Sequence, residues 1–162
     1  MTVDGNTMPV VMVRRRYRAS IEAAFDAWTN PHSIARWFGP KGFQAHVLEH
    51  ELRPGGRWRF LMRGDDGMEF HHFGSFVEIS PPRRLVFTWA SEEAVAGWHG
   101  GADDPTRVTV DFDPHEEGVT VTVTHERLPS EPARRALTAG WGGGLDALAA
   151  FLAEQGETDG TV

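Results

Sequence analysis

The stretch GVTVTVTHERLPSEPARRALTAGWGGGLDALAAFLA, residues 118–153, predicts a strand followed directly by a long helix. Residues 119–124 of the strand 118–126 alternate between valine and threonine, and a period of two is typical of a half-buried strand. Pro129 ends the strand pattern, and Ser130 then suits an N-cap, because its hydroxyl can accept an amide of the first helical turn. Apolar residues recur at spacings of three or four as far as about Ala153: Leu137, Trp141, Leu145, Leu148 and Leu152. Such a helix must bury its apolar stripe, and we expect it to cover a sheet.

Upstream of this stretch, the chain alternates strand patterns with turn signals. Ser20 and the pair Asn30-Pro31 begin two short helices, since each supplies an N-cap and proline suits the first helical position. The predicted order is one strand, two short helices, about six antiparallel strands and the long terminal helix. The predicted strands are 10–18, 43–52, 56–63, 68–79, 84–90, 106–113 and 118–126. Strands in series closed by a helix predict an α+β architecture.

Composition narrows the function classes. The chain of 162 residues suits a single domain, predicted over 10–153, between polar tails at 1–9 and 154–162. Its formal net charge of -7 argues against a nucleic acid partner, and the run Arg14–Arg16 is expected to be solvated or paired at a sheet edge. The absence of cysteine excludes disulfides and thiolate chemistry. We expect a cytoplasmic protein, since the sequence shows neither a signal peptide nor an apolar run long enough to span a membrane.

Five segments, in their order along the chain, resemble the SRPBCC or START-like superfamily. Within it, the chain is similar to the branch named for homologues of the heat-shock chaperone ATPase activator. The segments are AFDAWTNPHSIARWFGPKGF (24–43), LRPGGRWRFLMRG (52–64), GSFVEISPPRRLVFTW (74–89), VTVTHERLPSE (121–131) and GWGGGLDALAAFL (140–152). The resemblance implies a helix-grip fold, in which a curved antiparallel sheet wraps around the C-terminal helix. It also implies a cavity between the two, but no particular ligand.

Strand alternation and helix spacing supply candidate walls for that cavity. Residues of one parity share a sheet face, which groups Trp58 with Phe60 and Met62, and Leu85 with Phe87 and Trp89. The predicted ligand-binding residues are Trp37, Trp58, Phe60, His72, Phe87, Trp89, His125, Trp141 and Leu145. The loop-like stretch 91–105 is a candidate flap over the opening.

Glycines interrupt the predicted terminal helix at Gly140 and at Gly142–Gly144, each costing about 1 kcal/mol relative to alanine. Two explanations stay open. Either the missing side chains allow close packing or leave space beside Trp141, or the helix is kinked or loosely wound there.

Histidines are the candidate polar anchors. By parity, His125 faces inward with three valines. A buried imidazole needs a hydrogen-bond partner, so this ring is either a structural histidine or an acid, base or ligand anchor. His71 and His72 point to opposite faces and cannot share one ion in regular geometry. His46 and His50, four apart, are placed on one face and would bind metal only together with His72 from an adjacent strand. No metal, cofactor or catalytic residue is therefore assigned.

Three functions follow as hypotheses. The first is a carrier or sensor that binds an apolar, ring-containing small molecule. The second, implied by polyketide cyclases among START-like proteins, is a cyclase- or hydrolase-like enzyme with His125 or His72 as general base. The third is a chaperone-partner module, and a homodimer is a further expectation. If side chains fill the space between sheet and helix and leave no cavity able to hold a small molecule, the interaction module becomes the leading hypothesis.

Overall fold

The computed structural model describes residues 9–39, 42–92 and 100–160, and it describes the side chains of this part as far as residue 155. Within it the elements are β1 (Val11–Tyr17), α1 (Ile21–Thr29), α2 (Pro31–Trp37), β2 (Phe43–His50), β3 (Arg57–Gly64), β4 (Glu69–Ser80), β5 (Arg84–Ser91), β6 (Thr106–His115), β7 (Gly118–Glu126) and α3 (Glu131–Gly160). The strands form one antiparallel sheet in the order β1-β7-β6-β5-β4-β3-β2. The helix-grip prediction is confirmed in its element order.

The short helices begin where the sequence indicates. The Ser20 hydroxyl accepts from the Ala23 amide at 3.0 Å, and the Asn30 side chain accepts from the His32 amide at 2.9 Å. Pro31 occupies the first turn of α2 without losing a hydrogen bond, because the amides there have no helical partner. Helix α2 packs against the edge strand β2, whereas α1 packs against β6 and β7.

Helix α3 packs against β1 and against both short helices. The Tyr17 hydroxyl donates to the Leu145 carbonyl at 2.9 Å, and Arg15 pairs with Asp146 at 3.5 Å, as expected for an arginine at a sheet edge. The helix continues to Gly160, beyond the predicted end near Ala153, so it includes residues 154–160 of the predicted polar tail. Part of it, Glu131–Gln155, is long and apolar enough to span a membrane by length and composition, with a third of that window buried.

The glycines of α3 do not interrupt it. A Cβ added at Gly140, Gly143 or Gly144 would meet no atom within 4 Å, and at Gly142 only the Arg15 guanidinium at 3.6 Å. Close packing is therefore not the reason for these glycines, and α3 is assigned as one helix from end to end.

A β-bulge in β2 changes which residues face the core. Val47 pairs with Phe60 and Glu49 pairs with Arg59, so that Leu48 is the extra residue between them. His50 therefore lies opposite the buried Trp58, whereas His46 lies opposite Leu61 on the outer face. The prediction that His46 and His50 share a face is wrong, because regular alternation does not survive the bulge.

Two predicted features fall wholly or partly outside the described residues. The N-terminal tail lies there as far as residue 8, and so do residues 93–99 of the candidate flap. The described remainder of the flap is residues 91–92 and 100–105, and it lies between β5, which ends at Ser91, and β6, which begins at Thr106.

Candidate functional site

The space beneath α3 is filled by aromatic side chains. Trp141 stacks on Trp28 with ring centroids 5.8 Å apart, and it meets Trp89 edge-on at 5.5 Å. Trp89 in turn stacks on His125 at 5.6 Å. These four rings are buried, so the cavity predicted between the sheet and the C-terminal helix is closed by side chains in the described structure.

His125 belongs to a buried chain of hydrogen bonds. The Trp141 indole donates to His125 Nδ1 at 3.0 Å, which leaves Nε2 as the protonated nitrogen of the neutral ring. His125 Nε2 donates to Thr106 Oγ1 at 2.8 Å, and Thr106 donates to the Trp89 carbonyl at 2.7 Å. Both ring nitrogens are thus used by the protein. The arrangement suits a structural histidine that fixes β6, β7 and α3 to one another.

His72 is likewise occupied. Its Nδ1 lies 2.6 Å from the Ser91 hydroxyl, and its ring meets Trp89 edge-on at 5.0 Å. Both His72 and Ser91 are buried. Because β3 separates β4 from β2, His72 does not meet His46 or His50 as a ligand set. Among the described residues, no three His, Cys, Asp or Glu side chains are grouped to hold a metal ion.

The cavity that remains lies beneath α1 and α2, against strands β2 to β5. We call it the helix–sheet cavity. Its volume is about 30 Å³, and it is lined by Trp28, Ile34, Trp37, Phe38, His50, Trp58, Phe60, Phe76, Leu85 and Phe87. Its wall is apolar except at His50. Phe38 and His50 are half-buried whereas the other wall residues are buried, so the cavity reaches the surface beside these two side chains.

Four predicted binding residues line this cavity: Trp37, Trp58, Phe60 and Phe87. The other five, His72, Trp89, His125, Trp141 and Leu145, are buried in the packed core and do not appear in its wall. They lie nearer α3, where tryptophan rings take the space that the prediction left open. The predicted group therefore divides into a lining set and a packed set.

Hydrogen bonds hold the indoles of the cavity wall in place. The Trp37 indole donates to the Ala27 carbonyl at 2.8 Å, and the Trp58 indole donates to the Thr88 carbonyl at 3.1 Å. Trp58 lies opposite Gly74, where any side chain would collide with the Thr88 carbonyl and crowd the indole. Gly74 thus allows Trp58 to cross the sheet surface to β5.

His50 is the polar residue of the wall. Its Nε2 donates to the Thr29 carbonyl at 2.7 Å, in the last turn of α1, where carbonyls lack helical partners. Its Nδ1 is buried and has no hydrogen-bond partner among the described residues, and the same holds for the Trp28 indole nitrogen. The cavity wall therefore contains two polar atoms whose hydrogen-bonding capacity is unused.

Sequence reasoning missed five residues of this wall. His50 was placed by simple alternation, and the bulge at Leu48 has no clear sequence signal. Trp28 and Ile34 were recognised as the apolar stripes of their helices, but no local pattern shows where those helices dock. The remaining missed residues are Phe38 and Phe76, whereas Leu85 was grouped with Phe87 by parity and does line the cavity.

A second, open groove of about 570 Å³ runs between α2 and the edge strand β2. His46 lies in it with His32 and Arg36. Its mixed polar and apolar wall contrasts with the apolar helix–sheet cavity. Among the described residues of this wall, the buried polar atom without a hydrogen-bond partner is His50 Nδ1, and His50 also lines the inner cavity.

Comparison with solved structures confirms the fold. A Chromobacterium violaceum protein superposes with a TM-score of 0.79 at 24% identity, covering 89% of this chain and 96% of its own. The AHSA1 protein of Silicibacter pomeroyi gives 0.75 at 24% identity, covering 90% and 99%. A solution structure from Arthrobacter aurescens gives 0.79 at 22% identity, covering 91% and 87%. At such identities the likeness establishes the fold alone.

No match was found among curated proteins. A family description, "Activator of Hsp90 ATPase homolog 1-like protein", matches residues 18–153, which is most of the chain and nearly all of its described elements. The predicted resemblance is thereby confirmed, and the fold is one of soluble proteins, in which α3 serves as the covering helix. The chain belongs to the family of proteins that are like the activator of Hsp90 ATPase homolog 1.

Proposed function

We propose that the protein binds a small, apolar, ring-containing molecule in the helix–sheet cavity. The observation that carries the proposal is a cavity wall that is apolar except at His50, whose buried Nδ1 has no partner. Ligand sites are typically apolar concavities with few polar groups that set orientation. The family supports this, because proteins with this fold commonly bind hydrophobic ligands.

The volume of the cavity sets a condition on the proposal. An engineered cavity of about 150 Å³ takes up benzene, whereas about 30 Å³ holds a group the size of water. A ring can enter only if a wall residue moves. Phe38 is the apolar wall residue that is not fully buried, and it follows the last residue of α2, so its outward rotation adds the missing volume.

Toluene is a suitable first probe, because it is a single apolar ring without polar groups. We expect calorimetry and thermal unfolding to show that toluene binds the protein, and binds Phe38→Ala more tightly because truncation opens the cavity. Phe73→Ala is the matched control, since Phe73 lies on the outer face beneath Arg59. Its ring centroid is 4.7 Å from the Arg59 guanidinium carbon. Its toluene affinity should equal that of the unaltered protein.

Native mass spectrometry of protein purified from its own host tests the same proposal with the natural ligand. We expect a co-purifying apolar compound that is released on denaturation. Absence of such a compound, together with no toluene binding by either the unaltered protein or Phe38→Ala, would overturn the proposal. The chaperone-partner role would then lead, since the space beneath α3 is already filled.

An enzymatic role finds less support in the described residues. Both nitrogens of His125 are bonded within the core, and His72 is bonded to Ser91. Neither histidine lines the helix–sheet cavity. We therefore propose binding rather than turnover.

A further inference from the structure

We infer that the helix–sheet cavity selects a ligand with a hydroxyl group, an alcohol or a phenol, which donates to His50 Nδ1 and accepts from the Trp28 indole. This inference rests on the proposed function and specifies its ligand class. It starts from two buried polar atoms in the wall of one cavity, neither of which has a protein partner among the described residues.

The role of His50 Nδ1 follows from the hydrogen bond that the other ring nitrogen, Nε2, makes. The Thr29 carbonyl, 2.7 Å from Nε2, can only accept a hydrogen bond, so Nε2 carries the proton. In the neutral ring, Nδ1 is then an acceptor. The Thr29 hydroxyl cannot serve it as a donor, because that hydroxyl donates to the Phe25 carbonyl at 2.9 Å.

The Trp28 indole supplies the opposite capacity. An indole N–H is only a donor, and the Trp28 nitrogen is buried without an acceptor. Trp28 immediately precedes Thr29, whose carbonyl His50 contacts, and the side chains of Trp28 and His50 line the same cavity. The other wall indoles already donate hydrogen bonds, Trp37 to the Ala27 carbonyl and Trp58 to the Thr88 carbonyl.

One acceptor and one donor together favour a hydroxyl, since a hydroxyl both donates and accepts. A carbonyl or ether ligand would leave Nδ1 unpaired, and leaving a buried polar group unpaired weakens binding. An entirely apolar ligand would leave both atoms unpaired. The cavity, which has room for about one water-sized group, fits the hydroxyl end of such a ligand, while displacement of Phe38 makes room for the ring.

Phenol, toluene and anisole form a matched series that tests the inference. Phenol has the hydroxyl, toluene lacks oxygen, and anisole keeps the oxygen without its proton. We expect calorimetry to show that phenol binds about tenfold more tightly than toluene or anisole. If the hydroxyl has no hydrogen-bond partner in the cavity, phenol should bind more weakly than toluene, because burying an unpaired hydroxyl costs its hydration free energy.

His50→Phe is the variant that removes the acceptor while keeping a ring in the wall. Phenylalanine has no nitrogen, so a ligand hydroxyl finds no acceptor at this position. We expect toluene still to bind and the preference for phenol to disappear. Phe73→Ala is the control, because Phe73 lies on the outer face beneath Arg59, and the phenol preference should persist there.

The outcomes distinguish this inference from the proposed function. If toluene binds and phenol binds no more tightly than anisole, the hydroxyl inference fails and the apolar site stands. If none of the three compounds binds, the proposed function itself fails. Retention of the tenfold preference by a folded His50→Phe variant would also overturn the role given to Nδ1.

Discussion

The tryptophans of the core differ in what their indole nitrogens contact. The Trp141 N–H donates to His125, whereas the Trp28 N–H, in a ring stacked on Trp141, has no acceptor among the described residues. Removing a donor from a buried pair leaves its acceptor unsatisfied, which costs about 1–3 kcal/mol. Replacing a donor that has no acceptor removes ring volume but no hydrogen bond.

We therefore predict that Trp141→Phe lowers the free energy of unfolding by about 1–3 kcal/mol more than Trp28→Phe does. Urea unfolding followed by circular dichroism measures both values. The two variants lose the same atoms from neighbouring buried rings, so each serves as the control for the other. Equal losses would contradict the hydrogen-bond chain through His125.

Tyr17 is the only tyrosine of the chain, and its titration can be followed alone. Burial raises the pKa of Tyr17 well above its usual value near 10, with Arg15 lowering it and Asp146 raising it by smaller amounts. The neutral phenol is therefore favoured by folding. Its contribution to stability is complete below pH 10 and is lost as the pH rises above 10, where the unfolded chain ionises first.

The expected result is that tyrosinate absorbance stays absent in the folded protein at pH 10 to 11 and appears only on unfolding. The free energy of unfolding should fall over the same range. Tyr17→Phe is the matched variant, whose unfolding should lose this part of its pH dependence. Tyrosinate absorbance rising near pH 10 without loss of structure would contradict the burial of this hydroxyl.

At the scale of elements, α3 contains glycines that its packing does not require. Gly140 and Gly143 are exposed, and an added Cβ at either position meets no atom within 4 Å. We predict that Gly140→Ala and Gly143→Ala each stabilise the protein by up to about 1 kcal/mol, since alanine restricts the unfolded chain and favours the helix. Calorimetry should show an unfolding temperature about 2–4 °C higher for each kcal/mol gained.

Gly74 in β4 is the contrasting position. An alanine there would collide with the Thr88 carbonyl and crowd the Trp58 indole, so Gly74→Ala should destabilise by about 1–3 kcal/mol. The same calorimetric measurement covers all three variants. Similar effects at Gly74 and Gly140 would contradict the packing described for the strand or for the helix.

The elements show where sequence reasoning succeeded and where it could not. Parity placed Trp58 and Phe60 correctly because β3 is regular, and likewise Val119 to His125 in β7. Parity misplaced His50 because one extra residue in β2 reverses the alternation. The position of the cavity beneath α1 and α2 depends on how helices dock on the sheet, and helix periodicity carries no information about that.

At the scale of the whole molecule, the family match ends at residue 153. Phe151 and Leu152 are the last buried apolar residues among the described side chains, and beyond them Glu154 forms an exposed pair with Arg36 at 3.1 Å. Exposed pairs contribute up to about 1 kcal/mol. We predict that deleting 154–162 changes the free energy of unfolding by no more than about 1 kcal/mol.

A longer deletion, of 149–162, serves as the comparison because it also removes Phe151 and Leu152. Each of these buried side chains contributes several kcal/mol against a total of about 5–15 for a domain. We expect the longer deletion to lose cooperative unfolding in urea, while the shorter one keeps it. Loss of cooperativity in the shorter variant would place the domain boundary beyond Ala153.

The cytoplasmic location and the homodimer stay predictions, and size determination in solution tests the latter.

The bulge at Leu48 has a consequence for how relatives of this protein are aligned. Because Leu48 is the extra residue, its loss would remove the bulge and leave Glu49 facing outward and His50 facing inward. A strand that keeps a residue at position 48 but pairs regularly would instead turn the histidine outward and the carboxylate inward. A histidine in the matching column of a relative is therefore equivalent where the neighbouring residue is either bulged out or missing, and a one-residue gap at that point preserves the anchor.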